Sequence, residues 1–253
     1  MAFTYRNRHL QVDSNEDGFE AKHVRAISTV RRSTKSGKNH SFGYTGEKGI
    51  GFKSVFRIAD RVWISSRQFQ FMFDKNQKFG IIAPHWQSFP ASYERCVDQT
   101  SFLLELSDKY DEKELVNELY GFEPNILLFF RRLTRLILRV LDDDDGEEWV
   151  ETIVKTTTEV NAELVTVISH EDEFVEMAGT DQSDRATNRY KHEERHVLYH
   201  HEVGDMPTES RREGCHTSTL SLAFPINGLP GKPSAGAEQV FALLPVCEHG
   251  LKV

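Results

Sequence analysis

The chain has 253 residues, of which 38% are hydrophobic and 11% aromatic, and it carries a formal charge of −8. That is enough apolar material for one large domain or two small ones. The acidic balance argues against a general nucleic-acid binder and against binding to an anionic membrane. The three cysteines, Cys96, Cys215 and Cys247, are far apart and odd in number. They fit a reducing compartment better than a disulfide framework, and no pair has zinc-site spacing. Met1 to Val12 contains no apolar signal-peptide core, and Arg131, Arg132, Arg135 and Arg139 interrupt the apolar stretch Ile126–Leu141. These features predict neither a signal peptide nor a membrane span, which leaves the cytoplasm or nucleus.

Phe3 to Asp13 alternates loosely and predicts one or two short strands. Glu20 to Val30 carries Val24, Ile27 and Val30 at helical spacing. Arg31 to Tyr44 is polar and reads as a loop. Gly46 to Gly51 is a glycine-rich turn, with a helix expected over Phe52–Ala59. Strands are predicted at Arg61–Ser66, Gln68–Asp74 and Thr100–Leu106. The alternation of Phe69, Phe71 and Phe73 marks the second as half-buried. Helices are predicted at Glu112–Tyr120 and Pro124–Leu133, the latter with proline at a first-turn position. Thr134 to Leu141 continues that helix or becomes a strand.

Further strands are predicted at Trp149–Thr158, Leu164–Ser169, His196–Val203, Thr217–Ile226 and Gln239–Val246. Gly179 to Glu194 is poor in apolar residues and reads as an exposed loop. Asn227 to Gly236 is a connector rich in glycine and proline. No internal repeat is visible.

Charge is unevenly spread. Between Glu20 and Asp60 there are nine basic and three acidic residues, a local +6 against −14 over the rest of the chain. A basic island in an acidic chain points to an anion, or more blandly to a solvated face. The island contains Gly46-Glu47-Lys48-Gly49-Ile50-Gly51-Phe52-Lys53-Ser54. Three glycines within six residues let a ligand approach the backbone. The N-terminus of a following helix would offer unpaired N–H groups to an anion, with Lys48, Lys53 and Ser54 beside them. The Walker pattern fails here because Phe52 stands where its lysine belongs. The dinucleotide pattern fails because Ser54 replaces its last glycine.

The run Gly46–Ser54 resembles the second glycine motif of the GHKL superfamily of ATPases, which includes gyrases, histidine kinases and heat-shock chaperones. Upstream, Ser33-Thr34-Lys35 resembles the stretch that precedes the superfamily's phosphate lid. Asn15-Glu16-Asp17-Gly18-Phe19 stands in the place of its D-x-G-x-G box. The run Gly46–Phe56 is most similar to a sacsin-like and NO VEIN-like branch with G-x-K-G-I-G-F-K-S-V-F. That resemblance is strongest over Leu10–Trp86. It is visible again at Leu127–Leu133 and Gln239–Pro245.

The resemblance implies an ATP-binding module whose ligand is the nucleotide, with magnesium as a companion ion and protein partners unspecified. Glu16 or Asn15 would accept from the adenine amino group, although a longer acid displaces that acceptor. Gly18 would let the base lie on the backbone. Ser33, Thr34 and Lys35 would reach phosphates, and Gly46, Lys48, Gly49, Ile50, Gly51, Lys53 and Ser54 would form their cradle. The superfamily carries its general base and magnesium ligand on a helix before the first box. Only fourteen residues precede Asn15 here, and none is a glutamate. The expectation is therefore nucleotide binding without turnover, with no catalytic and no metal-ligating residues assigned. The implied fold is α/β, a two-layer Bergerat-type sandwich over residues 1–110 that is incomplete at its N-terminus. Residues 111–253 would continue it or begin a middle domain, with a flexible loop around 179–195.

Two alternatives stand beside this one. The chain could be a non-catalytic interaction fragment with a vestigial nucleotide site. Alternatively, His192-Glu193-Glu194-Arg195-His196 satisfies H-E-x-x-H, the zinc-peptidase motif, which requires both histidines on one face of a helix. Its polar flanks Tyr190, Lys191 and Arg195 argue against a buried metal helix.

Overall fold

The computed structural model describes residues 1–28, 52–95, 98–130, 132–141, 148–160, 162–173, 187–204, 218–226, 239–241 and 245–248. Two compact units divide the chain. The first comprises Met1–Phe122, Leu136–Glu151 and Asp172–Thr187, and the second Glu123–Arg135, Thr152–Glu171 and Asn188–Val253.

In the first unit the chain opens with β1 (Ala2–Arg6) and β2 (His9–Ser14), an antiparallel hairpin. Its two turn residues, Asn7 and Arg8, both have positive φ, 47° and 59°. That is the geometry a two-residue hairpin with right-handed strand twist requires. Arg8 is held there by partners. Its guanidinium donates to the carbonyls of Ser107 at 2.8 Å and Tyr110 at 3.4 Å, and lies 3.3 Å from the Glu112 carboxylate.

Helix α1 (Ala21–Ile27) follows, then a 3-10 helix, Phe52–Arg57. The strands β3 (Ala59–Ser66), β4 (Phe69–Asp74), β5 (His85–Trp86), β6 (Thr100–Leu106) and β7 (Arg135–Leu141) complete the sheet of this unit. Their order is β7-β1-β2-β6-β3-β4-β5. β7 runs parallel to β1, and the other described pairs are antiparallel. The sheet is thus mixed and mostly antiparallel, with few helices around it. The stretch after Thr134, ambiguous in sequence, is strand.

Register makes the core. Across β2, β6, β3 and β4, one row aligns Val12, Phe102, Ile64 and Phe71, and the next aligns Leu10, Leu104, Val62 and Phe73. Phe71, Phe73, Ile64 and Val62 have no exposed surface. The opposite face is also covered. Trp63, Met72 and Leu103 pack with Phe89, and Tyr93 joins them. β4 is therefore buried on both faces, not half-buried as its alternation suggests, because the segment before β6 folds back over Met72.

Helix α2 (Glu112–Tyr120) matches its predicted bounds. Asp111 caps it by accepting from the Lys113 amide at 3.0 Å, while Leu115 and Leu119 face inward. Tyr5 donates to the Glu112 carboxylate at 2.7 Å.

In the second unit the expected helix from Pro124 is a 3-10 helix that ends at Phe129. Phe130 is extended, and the carbonyls beyond the helix are claimed by Lys155. The Lys155 ammonium donates to the Phe130 carbonyl, and its backbone amide donates to the Thr134 carbonyl at 2.8 Å. A helix through Leu133 would leave that strand's amide unsatisfied. The strands that lie wholly or mostly here are β8 (Glu148–Val160), β9 (Ala162–Glu173), β10 (Thr187–Val203) and β11 (Ser218–Pro225), in the order β8-β9-β10-β11. Ile153, Val165, Val167 and Leu198 are buried among them.

The polar stretch expected to loop as far as Glu194 enters β10 at Thr187. Gln239 to Val246, expected as one strand, is divided into β12 (Gln239–Phe241) and β13 (Pro245–Glu248), an antiparallel pair. Cys247 lies in β13, whereas Cys96 and Cys215 fall outside the described residues.

Phe73→Ala removes a ring with no exposed surface from the middle of an aromatic cluster. The expected cost is about 3–5 kcal/mol. Urea unfolding of both proteins, compared at constant m-value, measures it.

Candidate functional site

The first motif sits at the end of β2. Asn15, Glu16 and Asp17 are exposed, and their side chains make no hydrogen bond or ion pair among the described residues. Gly18 has φ +81°, a conformation an L side chain rarely adopts. A Cβ at this position would stand 2.8 Å from Cγ of Arg67. The turn is pinned one residue later: the Phe19 amide donates to Oγ of Ser66 at 2.8 Å. Ser66 in turn shares a 2.7 Å hydrogen bond with Oγ1 of Thr100, and both residues are fully buried. Because β3 and β6 are in register at Ser66 and Thr100, the two hydroxyls come from adjacent strand ends.

The second motif enters the described structure only at its C-terminal end. Ser33, Thr34, Lys35, Gly46, Lys48, Gly49, Ile50 and Gly51 lie outside the described residues. Phe52, Lys53 and Ser54 open the 3-10 helix. Phe52 lies with its ring centroid 6.2 Å from Phe102, 5.6 Å from Phe73 and 5.9 Å from Phe56. Phe19, the last residue of the first motif, also packs on Phe102, at 6.2 Å. Two segments more than thirty positions apart in sequence thus meet over one ring of β6.

Lys53 is half-buried. Its ammonium donates to the Ile81 carbonyl and lies over the Phe73 ring at 4.6 Å and the Phe52 ring at 5.1 Å. Burial lowers its pKa to about 8. Aromatic faces and one carbonyl replace part of the water that an ammonium needs. Ser54 is exposed.

Of the residues singled out in sequence, the structure therefore shows Asn15, Glu16 and Gly18 in one turn, and Lys53 and Ser54 in one helix. Three neighbours of that turn were not singled out: Ser66, Arg67 and Thr100. Ser66 and Thr100 are the polar ends of two apolar strands, a pattern that also suits any strand terminus. Arg67 is a hairpin residue, and nothing in its local sequence marks it.

The 192–196 motif is corrected. These residues lie in β10, not in a helix. At about 3.3 Å per residue, an i, i+4 pair in a strand stands roughly 13 Å apart, too far to share one zinc ion. Glu193 pairs with Arg195 at 2.8 Å, and His196 is buried beside Glu194 at 3.6 Å. Among the described residues no group of three His, Cys, Asp or Glu could hold a metal. No helix among them is long and apolar enough to cross a membrane.

No family model matches the chain. Protein NO VEIN of Arabidopsis thaliana is 27% identical over 277 residues, an alignment that takes in the whole chain. The chain spans only 9% of that protein's length. Among solved structures, the ATP-binding domain of topoisomerase IV from Francisella tularensis, in complex with a small-molecule inhibitor, matches with TM-score 0.36 and 13% identity. That match covers 66% of this chain and 52% of the other.

Lys53 gives the site a pH signature. Below pH 8 the folded and unfolded chains both hold its proton, and the folded state bears the full cost of burying the charge. Between about 8 and the ordinary 10.5 the folded chain releases that proton first, so stability rises with pH. Relative to wild type, Lys53→Met is expected to be most favourable below pH 8 and to lose that advantage as pH approaches 10.5. Urea midpoints of both proteins across pH 7 to 10.5 measure the difference.

Proposed function

We propose that the chain contains an ATP-binding module of the GHKL type, from its sacsin-like and NO VEIN-like branch. The observation that carries this is the meeting of Phe19 and Phe52 on Phe102. Three motifs in the superfamily's order are a sequence pattern. The contact of Phe19, from the first box, and Phe52, from the glycine run, with one ring of β6 supports reading the two as parts of one site. The likeness to NO VEIN, which extends over the whole chain, favours the branch.

In this module Glu16 and Asn15 offer acceptors to the amino edge of the base, and Gly18 sets the turn that carries them, its open side covered by the Arg67 stem rather than left bare for the base. Both acceptors are exposed and unengaged among the described residues, which fits a ligand that supplies the donor. Gly46, Gly49 and Gly51 present amides to the phosphates, with Lys48, Ser54 and the Ser33-Thr34-Lys35 stretch around them. ATP brings the triphosphate, and magnesium would travel with it. The two-layer sandwich belongs to the same proposal. What is proposed is binding, driven by phosphate contacts and therefore weakened by salt.

Titration calorimetry with magnesium-ATP tests it. Binding is expected for wild type, and Gly49→Val or Gly51→Val is expected to abolish it, because a branched side chain fills the phosphate space. No heat and no thermal shift at millimolar nucleotide would instead leave an interaction module with a vestigial site. Unchanged affinity in both valine variants would place the nucleotide elsewhere.

A further inference from the structure

Two hairpins in the first unit carry an arginine in the left-handed region, where glycine, asparagine or aspartate is the ordinary choice. At Arg8 the cause is visible, since two carbonyls and a carboxylate hold its guanidinium. Arg67, at φ 51° between β3 and β4, has no such partners. It is exposed, and among the described residues its guanidinium makes no hydrogen bond or ion pair. Its field reaches Glu20, whose carboxyl is held low chiefly by Lys22.

What Arg67 does touch is Gly18. The place a Gly18 side chain would fill is occupied by the Arg67 stem, with Cγ, Nε and Cδ at 2.8, 3.0 and 3.2 Å from that point. Both chains are unusual here, Gly18 at φ +81° and Arg67 at φ 51°. Backbone outliers cluster at ligand sites, which marks this one as a candidate. The neighbouring hydroxyls do not compete for that role, since Ser66 and Thr100 are buried and bonded to each other.

We infer that Arg67 is a base-contacting residue of the nucleotide site, its planar guanidinium, laid over the Gly18 turn, stacking on the face of the purine. This rests on the proposed ATP-binding function and assigns it a residue from outside the three motifs. Guanidinium suits the task because it is flat, weakly hydrated and always charged, so it can lie on a π face that an ammonium covers poorly. Stacking also leaves the edge of the base free for Glu16 or Asn15. The contact is to the base, so triphosphate binding should not depend on it.

The test measures the affinity of the full chain for ATP and for inorganic tripolyphosphate by calorimetry, in wild type and in Arg67→Ala, Arg67→Lys and Arg67→Gly. ATP affinity is expected to fall roughly 3- to 30-fold in Arg67→Ala. Arg67→Lys should remain weakened, and tripolyphosphate affinity should not change. Arg67→Gly relieves the positive φ, so it should lose ATP affinity while its Tm holds or rises by about 2–4 °C. Unchanged ATP affinity in Arg67→Ala overturns the inference, as does an equal loss of tripolyphosphate affinity. Full rescue by lysine also overturns it. If wild type binds ATP no better than tripolyphosphate, the base contributes nothing and the inference falls while the phosphate site stands. If wild type binds neither, the ATP-binding proposal falls as well.

Discussion

Strand β6 runs between β2 and β3 in the middle of its sheet, and its apolar faces must be covered on both sides. One face is closed by Phe89 and Tyr93 over Leu103. The other is closed at Phe102 by Phe19 from one direction and Phe52 from the other. Each aromatic contact adds about 0.5–1.5 kcal/mol to the burial itself, and the cluster continues through Phe73, Phe71 and Trp86. The residues that end the first box and follow the glycine run are therefore part of the core. Any change that moves Phe102 moves the first motif's turn and the end of the glycine run together. The placement of Phe19 and Phe52 is thus a consequence of packing.

Electrostatics are divided differently. The basic island of the sequence suggested a block of positive charge facing an anion. Where its members are described, two are already engaged: Lys22 with Glu20 at 2.8 Å, and Lys53 with a carbonyl and two rings.

Strands that depend on local alternation were legible in the sequence. β3, β4 and β6 fall close to their predicted bounds, and α2 matches because Asp111 and Gly121 close it at both ends. What failed depended on distant partners. The helix from Pro124 stops at Phe129 because a lysine 25 residues later takes the Phe130 carbonyl. The parallel pairing of β7 with β1 joins segments more than 130 residues apart, and no local period announces it. Within the site, the turn at Gly18 was readable as a motif. Arg67, Ser66 and Thr100 were not, since each reaches the turn only through the pairing of β3 with β6 and the fold of its hairpin.

The two motifs that competed for the function depend differently on the surrounding backbone. H-E-x-x-H encodes chemistry only when the backbone repeats every 3.6 residues, because that period brings positions i and i+4 onto one side. In β10 the period is two, and the same five residues spread along an extended strand. The spacing was right and the period was wrong. The first glycine motif carries a weaker dependence on regular structure, since its turn is set by the positive φ of Gly18, and the buried hydroxyl of Ser66 fixes it by accepting from the next amide. A motif whose geometry is written by its own backbone keeps its meaning when the surrounding elements shift. A motif that borrows its geometry from a helix has none once the helix is a strand.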